Sequence, residues 1–307
     1  MRENFLGVFG HVVVDNIFNV PRLPDRNTSI ETAGREVVWG GTGANIAVIS
    51  SCLGVRTALA SFVGEDFPKE YERRLREAKV DLHDLNVVKG YSTSQAWIFV
   101  ASNQDQITVI DQGPMRDASV FELQRHTIES SEIVHVGTGR PEYYQRVVET
   151  ASSLGKKIAF DPAQELAYIY GPDTFKKIIQ YVDFFFANET EIAQALSYLD
   201  LKDRNELLEY VDVLIITKGE RGSTIITEKE EISTPSIAPT KVEDITGAGD
   251  AYRAGFYAGL ERNYDLERCG LVGAATASFI IEKKGPQTNI PTWRAIQERI
   301  DESLRSS

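Results

Sequence analysis

This chain is short of several things, and each shortage narrows what it can do. Only two of its 307 residues are cysteine, Cys52 and Cys269. Both fall in apolar stretches with helical spacing, so they read as two buried thiols rather than a disulfide or a metal pair. Four histidines occur (His11, His83, His126 and His135), none at metal-ligand spacing from another or from a cysteine, which argues against a zinc site. His135 sits mid-strand and reads as a satisfied core histidine. Basic residues are outnumbered, 33 Lys and Arg against 45 Asp and Glu, giving a formal net charge of −12. A general nucleic-acid-binding surface needs a basic footprint and is therefore not expected, although one locally positive anion site remains compatible. No stretch approaches the roughly 18 uninterrupted apolar residues that span a bilayer. No basic segment followed by an apolar run marks a secretory leader. The expectation is a cytoplasmic protein without a membrane partner.

What is present is ordinary globular material, 42% hydrophobic and 25% charged, long enough for one large α/β domain or a domain with a small appendage. Leu6–Gly10 and Val12–Val14 read as one opening strand that reaches Asp15. A helix is expected over Ala44–Leu53, stopping at Gly54, and a strand over Thr57–Val63. Asp66 with Pro68 reads as the cap and first turn of a helix through Lys79. Gln95–Ala101 and Gln106–Ile110 read as a hairpin around Ser102–Asp105. From about residue 130 short apolar runs (Glu132–Val136, Lys157–Phe160, Asp183–Ala187, Val213–Thr217) alternate with helical segments. That alternation predicts a parallel sheet with helices on both faces. Ser223–Thr227 and Glu231–Ser233 read as an antiparallel edge. The β-rich pieces at about 11–39 and 92–111 break the rhythm and are expected to form a small second sheet, a discontinuous lid.

Two glycine clusters carry the chemistry. In Asp244-Ile-Thr-Gly-Ala-Gly-Asp250 the Gly247-Ala248-Gly249 run lets backbone N–H groups approach a ligand, and the helix that follows makes the turn an anion site. Asp250 then places a carboxylate beside it, where an anion binder alone would not want one. By itself the heptapeptide admits a second reading, a tight turn with an aspartate N-cap. The other cluster, Trp39-Gly-Gly-Thr-Gly-Ala-Asn45, also precedes a helix. There Gly40 and Gly41 clear space, Asn45 offers a donor and an acceptor, and Asp15 offers a bidentate acceptor. Such a set suits a polyol with adjacent hydroxyls, though a plain strand–helix turn would look the same.

The two clusters stand in this order and about 200 residues apart. Together they resemble the paired signatures of the ribokinase-like (PfkB) family of carbohydrate and nucleoside kinases. Ile245 departs from the usual threonine or proline without touching the anion turn or Asp250. Further segments resemble the archaeal nucleoside kinase branch: Asn19–Ile30, His135–Gly139, Cys269–Phe279 and Lys284–Trp293. The resemblance implies a ribokinase-like three-layer α/β/α domain over residues 1–307, with a mostly parallel sheet and the β-lid.

It also implies site roles. Asp250 would be the general base, with Gly247, Ala248 and Gly249 as the anion hole. Asp15, Gly40, Gly41 and Asn45 would hold the acceptor. Asn188 and Glu191, which could equally be a capped helix start, would organise Mg²⁺ through water. Asp161 would support the site from a second layer. Thr217, Gly219 and Gly222 would border ATP, and Asp244 and Thr246 a monovalent cation such as K⁺. Arg116 and Arg140 are the basic residues expected near the substrate mouth.

The expected reaction is transfer of the ATP γ-phosphate to the 5′-hydroxyl of a nucleoside of the inosine, guanosine or cytidine type. A sugar kinase of the same family, ribokinase- or fructokinase-like, is the alternative, and a homodimer through the lid is compatible with either. A non-catalytic ligand sensor would not need Asp250. A dinucleotide-dependent oxidoreductase would need a G-x-G-x-x-G run after the first strand and an acidic partner about 20 residues on, and the chain has neither.

Overall fold

The computed structural model describes residues 3–103 and 105–306. Strand β1 (Asn4–Phe9) is apolar on both faces and lies inside a nine-stranded sheet. Strands β2 (Val13–Val20) and β3 (Gly34–Gly40) leave that sheet, and helix α1 (Thr42–Cys52) brings the chain back to β4 (Thr57–Gly64). Helix α2 (Lys69–Glu77) leads to β5 (Leu85–Val88), and β6 (Gln95–Ala101) and β7 (Gln106–Asp111) follow. After the short α3 (Arg125–Ser130) come β8 (Ser131–Val136), α4 (Pro141–Ser153), β9 (Lys157–Phe160), α5 (Pro172–Ile179), β10 (Phe184–Asn188), α6 (Glu189–Leu199) and β11 (Val213–Thr217). The antiparallel pair β12 (Ser223–Ile226) and β13 (Glu231–Thr234) closes one edge. Three helices end the chain, α7 (Ala248–Glu261), α8 (Leu266–Ile280) and α9 (Trp293–Ser306).

The large sheet has the order β13-β12-β11-β10-β9-β8-β1-β4-β5 and is parallel from β11 to β5. Alternate side chains along a strand point to opposite faces, so Phe185 and Phe186 enter different cores. One core gathers α1, α7 and α8 and the other gathers α4, α5 and α6, which gives three layers. Strand order reverses between β1 and β8. Open parallel sheets leave a crevice at such a switch point, outside the carboxyl ends of the strands. The second sheet, β3-β2-β6-β7, is the lid sheet. It is mixed, with β2 and β6 parallel and both outer pairs antiparallel.

Four local expectations change. The opening strand is two strands: β1 stops at Phe9 and β2 belongs to the lid. The break falls at Gly10, whose backbone packs so closely on Gly43 that a Cβ there would sit 2.8 Å from the Gly43 Cα. Asp66 does not cap α2, because its Oδ1 accepts from the Thr93 backbone N–H at 2.6 Å. Cys52 is exposed at the end of α1, whereas Cys269 is buried. His135 is buried and shares a 2.7 Å hydrogen bond between Nδ1 and the Tyr257 hydroxyl, but its Nε2 has no partner among the described residues. The hairpin β6–β7 forms as expected, although Gln104 in its turn lies outside the described residues. No helix of the described residues is long and apolar enough to cross a membrane.

Candidate active site

A cavity of about 500 Å³ opens where the sheet reverses. Successive strand ends deliver its floor: His11 after β1, Thr138 after β8, Asp161 after β9, Asn188 at the end of β10 and Thr217 at the end of β11. The lid forms one wall through Asp15, Ala96, Ile98 and Ile110, and the turn into α7 forms another.

That turn does what its sequence requires. Gly247 is the N-cap of α7 at φ 77°, a left-handed conformation that an L side chain resists, and a Cβ there would meet Pro286 at 2.4 Å. Gly247, Ala248 and Gly249 line the cavity. The Ala248 N–H closes the turn onto the Ile245 carbonyl at 3.2 Å, and a helix's first turn carries the positive end of its dipole. Asp250 is not the cap. It lies within the first turn of α7, with Oδ2 accepting from Asn45 Nδ2 at 2.8 Å. The two glycine clusters therefore meet physically, 205 residues apart in sequence.

Two carboxyls share this space. Burial pushes Asp250 up to about 7, opposed by the Asn45 hydrogen bond and the Arg253 guanidinium and reinforced by Asp161. Burial likewise raises Asp15 to about 7, with Asp250 and then Asp244 adding repulsion. A carboxyl poised near neutrality suits proton transfer. Gly40 lies against Asp15 so closely that a Cβ would fall 1.9 Å from Asp15 Oδ2. The Gly40 carbonyl accepts from the Tyr71 hydroxyl at 2.6 Å, and Gly41 caps α1.

Asn188 and Glu191 form a reciprocal capping box. Asn188 Oδ1 accepts from the Glu191 N–H at 2.9 Å, and Glu191 Oε2 accepts from the Asn188 N–H at 2.7 Å. Both residues also line the cavity, so a helix cap and a ligand surface coincide here. Burial, then Asp161, raises Glu191 above the usual carboxylate range. Thr217 reaches the cavity, but Gly219 and Gly222 do not. Gly222 instead packs its backbone against the Thr234 carbonyl. The Asp244 carboxylate joins two loops, accepting from Thr246 N–H and Gly285 N–H, both at 2.9 Å. Arg140 lines the outer part of the cleft and donates to the Arg116 carbonyl, while Arg116 pairs with Asp111.

Several site residues escaped the sequence reading. Arg253 is 6% exposed and grips Asp161 behind the anion turn. A charged residue three positions after Asp250, in a helix otherwise built of small and apolar residues, is a visible signal for it. A hydrogen-bonded chain runs along the floor from Thr42 to Thr138, His11, Gln112 and Glu165. Those residues lie far apart in sequence, and nothing local marks them as partners.

A glycine turn at a helix start, with a carboxyl raised to about 7 in its first turn and both lining one cavity, has the parts that group transfer uses. The comparisons with known proteins say which kind. Residues 3–293 match the family model "pfkB family carbohydrate kinase", and the chain belongs to that family: it is a kinase acting on an alcohol group. It is 41% identical over 293 residues to a nucleoside kinase of Methanocaldococcus jannaschii, covering 95% of each chain. It is 37% identical over 284 residues to a nucleoside kinase of Methanothermobacter thermautotrophicus, covering 92% of this chain and 91% of the relative. The crystal structure of the M. jannaschii nucleoside kinase superposes with a TM-score of 0.91 at 39% identity, over 98% of this chain and 99% of that one.

Proposed function

We propose that this kinase transfers the γ-phosphate of ATP to the 5′-hydroxyl of a nucleoside of the inosine, guanosine or cytidine type. The observation that carries the reading is the place of Asp250, between the glycine turn and a wall formed by Asp15, Gly41 and Asn45, with Gly40 packed behind Asp15. The likeness to two nucleoside kinases over almost the whole chain supports the acceptor class.

In this reading Asp15 and Asn45 hold the sugar hydroxyls, Gly40 leaves room for the Asp15 carboxylate, and Gly41 lets the backbone pack closely at the cavity edge. Asp250 accepts the proton of the 5′-hydroxyl as its oxygen attacks the γ-phosphorus. The N–H groups of Gly247 and Gly249, with the α7 dipole behind them, stabilise charge on the transferred phosphoryl group, and Ala248 holds the turn through its N–H bond to the Ile245 carbonyl. ATP lies along the strand ends towards Thr217, with Gly219 and Gly222 shaping the loop behind it. The lid sheet excludes water, which disfavours hydrolysis.

The donor set fits Mg²⁺ held mainly by phosphate oxygens and water rather than by a protein cage. Glu191 Oε1 has no partner among the described residues, where no cluster of three or more His, Cys, Asp or Glu could ligate a metal. Mg²⁺ would neutralise phosphate charge, with Glu191 and Asn188 holding its waters. The Asp244 carboxylate, with lone pairs beyond its two backbone hydrogen bonds, and Thr246 would serve a K⁺ ion. On the outer lid face Val37, Ile107 and Val109 are about half exposed, and a homodimer through the lid would cover them.

The acceptor assignment is tested by measuring kcat/KM with ATP for inosine, guanosine, cytidine, adenosine, ribose, fructose and fructose 6-phosphate. A nucleoside is expected to lead the panel. A free sugar leading it would establish the sugar-kinase alternative instead.

A further inference from the structure

Gln287, in the loop between α8 and α9, ends a short relay that reaches Asp250. Its Nε2 donates to Asn45 Oδ1 at 3.0 Å and to the Tyr71 hydroxyl oxygen at 3.2 Å. Asn45 Nδ2 donates in turn to Asp250 Oδ2 at 2.8 Å. Gln287 is only 7% exposed, and its Oε1 has no hydrogen-bond partner among the described residues.

We propose that Gln287 is a positioning residue for the Asp250 carboxylate: by fixing which way the Asn45 amide faces, it favours the ionised, proton-accepting form of Asp250. An ionised carboxylate only accepts hydrogen bonds, so Asn45 must turn its NH₂ towards it. That leaves Asn45 Oδ1 facing Gln287, which must then present its own NH₂. A protonated Asp250 could donate to Asn45 Oδ1 instead, with both amides reversed, and Asn45 Nδ2 would then satisfy the orphaned Gln287 Oε1.

The relay thus has two self-consistent settings, and Tyr71 chooses between them. Burial holds the Tyr71 phenol far above its ordinary range, so it stays protonated. Its proton is committed to the Gly40 carbonyl, so towards Gln287 its oxygen can only accept. The donor it asks for is Gln287 Nε2, which is the setting that ionised Asp250 needs. An unpaired buried oxygen is a cost that an apolar side chain of the same size would avoid, so packing alone does not account for a glutamine here.

The loop is held on three sides. Arg74 donates to the Gln287 carbonyl at 3.1 Å, Gly285 N–H reaches Asp244, and Lys284 pairs with Glu36 on lid strand β3 at 2.6 Å. The other charged groups that act on Asp250 are Asp15 on β2, Asp161 after β9, Arg253 on α7 and, through Arg253, Glu191 on α6.

The inference rests on Asp250 as the general base, so the test carries a control for that. The pH dependence of kcat is measured for the wild type, Gln287→Met, Gln287→Glu and Asp250→Asn, with melting temperature confirming the fold of each. Gln287→Met removes the donor, and Gln287→Glu replaces it with an acceptor that favours the reversed setting. The acid limb of kcat is expected to move up by about one pH unit in Gln287→Met and further in Gln287→Glu. Below its new midpoint, a limb displaced by one pH unit leaves about a tenth of the ionised form. Activity of Gln287→Met at pH 7 therefore falls about five- to tenfold and recovers to within about threefold of wild type at pH 9. A uniform loss at every pH, with the limb unmoved in both variants, would mean that Gln287 only packs and would overturn the proposal. Wild-type turnover by Asp250→Asn would instead remove the base on which it rests.

Discussion

Arg253 and Asp161 are joined by two hydrogen bonds, Nε to Oδ2 at 2.5 Å and Nη2 to Oδ1 at 3.0 Å. Their side chains are only 7% and 5% exposed. The pair ties the second turn of α7 to the residue that follows β9, so the helix behind the glycine turn is bolted to the sheet beneath it. Arg253 is also a cation that restrains the rise of the Asp250 pKa, whereas Asp161 promotes it. The ion pair therefore anchors the helix that carries Asp250, and its two charges act on that carboxyl in opposite senses, behind burial and the Asn45 hydrogen bond.

Breaking that pair from one side leaves a buried, unpaired charge, which is far costlier than removing both partners. Arg253→Met is expected to lower unfolding stability by about 3–5 kcal/mol, read from urea melts at pH 7.5. The double variant Arg253→Met, Asp161→Leu should recover most of the loss. If the double variant is as unstable as the single one, packing rather than the stranded carboxylate is responsible.

Asp250→Asn keeps the shape and the contact with Asn45 but removes the proton acceptor. The expected loss in kcat is about 10²–10⁴-fold, the scale of a missing general base, while the KM for ATP changes little. Near-normal turnover would take Asp250 out of the role.

The sequence revealed the architecture through periodicity: alternating short apolar runs and helical segments after residue 130 correspond to β8–β11 and their helices. It also revealed both glycine clusters, because a tight approach to backbone leaves glycine as a local mark. It did not show that β1 and β2 belong to different sheets, since two apolar runs joined through Gly10-His11 look like one strand. Nor could it pair Gln287 with Asn45 or His11 with Gln112. Those contacts join residues that only the fold brings together. Asn188 and Glu191 were ambiguous for a physical reason, because the capping box and the cavity surface use the same two side chains. Thr217 reaches the cavity while Gly219 and Gly222 turn away, since the loop after β11 folds back onto β13 rather than over the cleft.

Gly40 offers a selective probe of the acceptor wall. A methyl group there would fall 1.9 Å from Asp15 Oδ2, so Gly40→Ala must displace the Asp15 carboxylate. The KM for the acceptor is expected to rise by about tenfold or more, the equivalent of one lost charge-assisted hydrogen bond, with the KM for ATP nearly unchanged. Equal increases in both constants would show that the substitution distorts the whole cleft and that Asp15 has no particular claim on the acceptor.

The raised carboxyls also make a prediction about stability, with a definite sign. Asp15 and Asp250 shift from an ordinary 3.8 to about 7 in the folded protein. Between about pH 4 and 7 the folded state therefore holds protons that the unfolded chain has released, and stability must fall as pH rises through that window. Above pH 7 both groups are ionised, buried and mutually repelling. Asp250→Asn removes one of the two charges and relieves Asp15 as well, because Asp250 is one of the causes of the Asp15 shift. The variant should therefore be more stable than the wild type at pH 8, by about 1–3 kcal/mol. The difference should shrink steadily towards pH 5, where the wild-type carboxyls are already neutral. Thermal melts of the two proteins at pH 5, 6, 7 and 8 measure this directly. A difference that stays constant across the range would mean that Asp250 titrates alike in the folded and unfolded states, and the strain attributed to its burial would be absent.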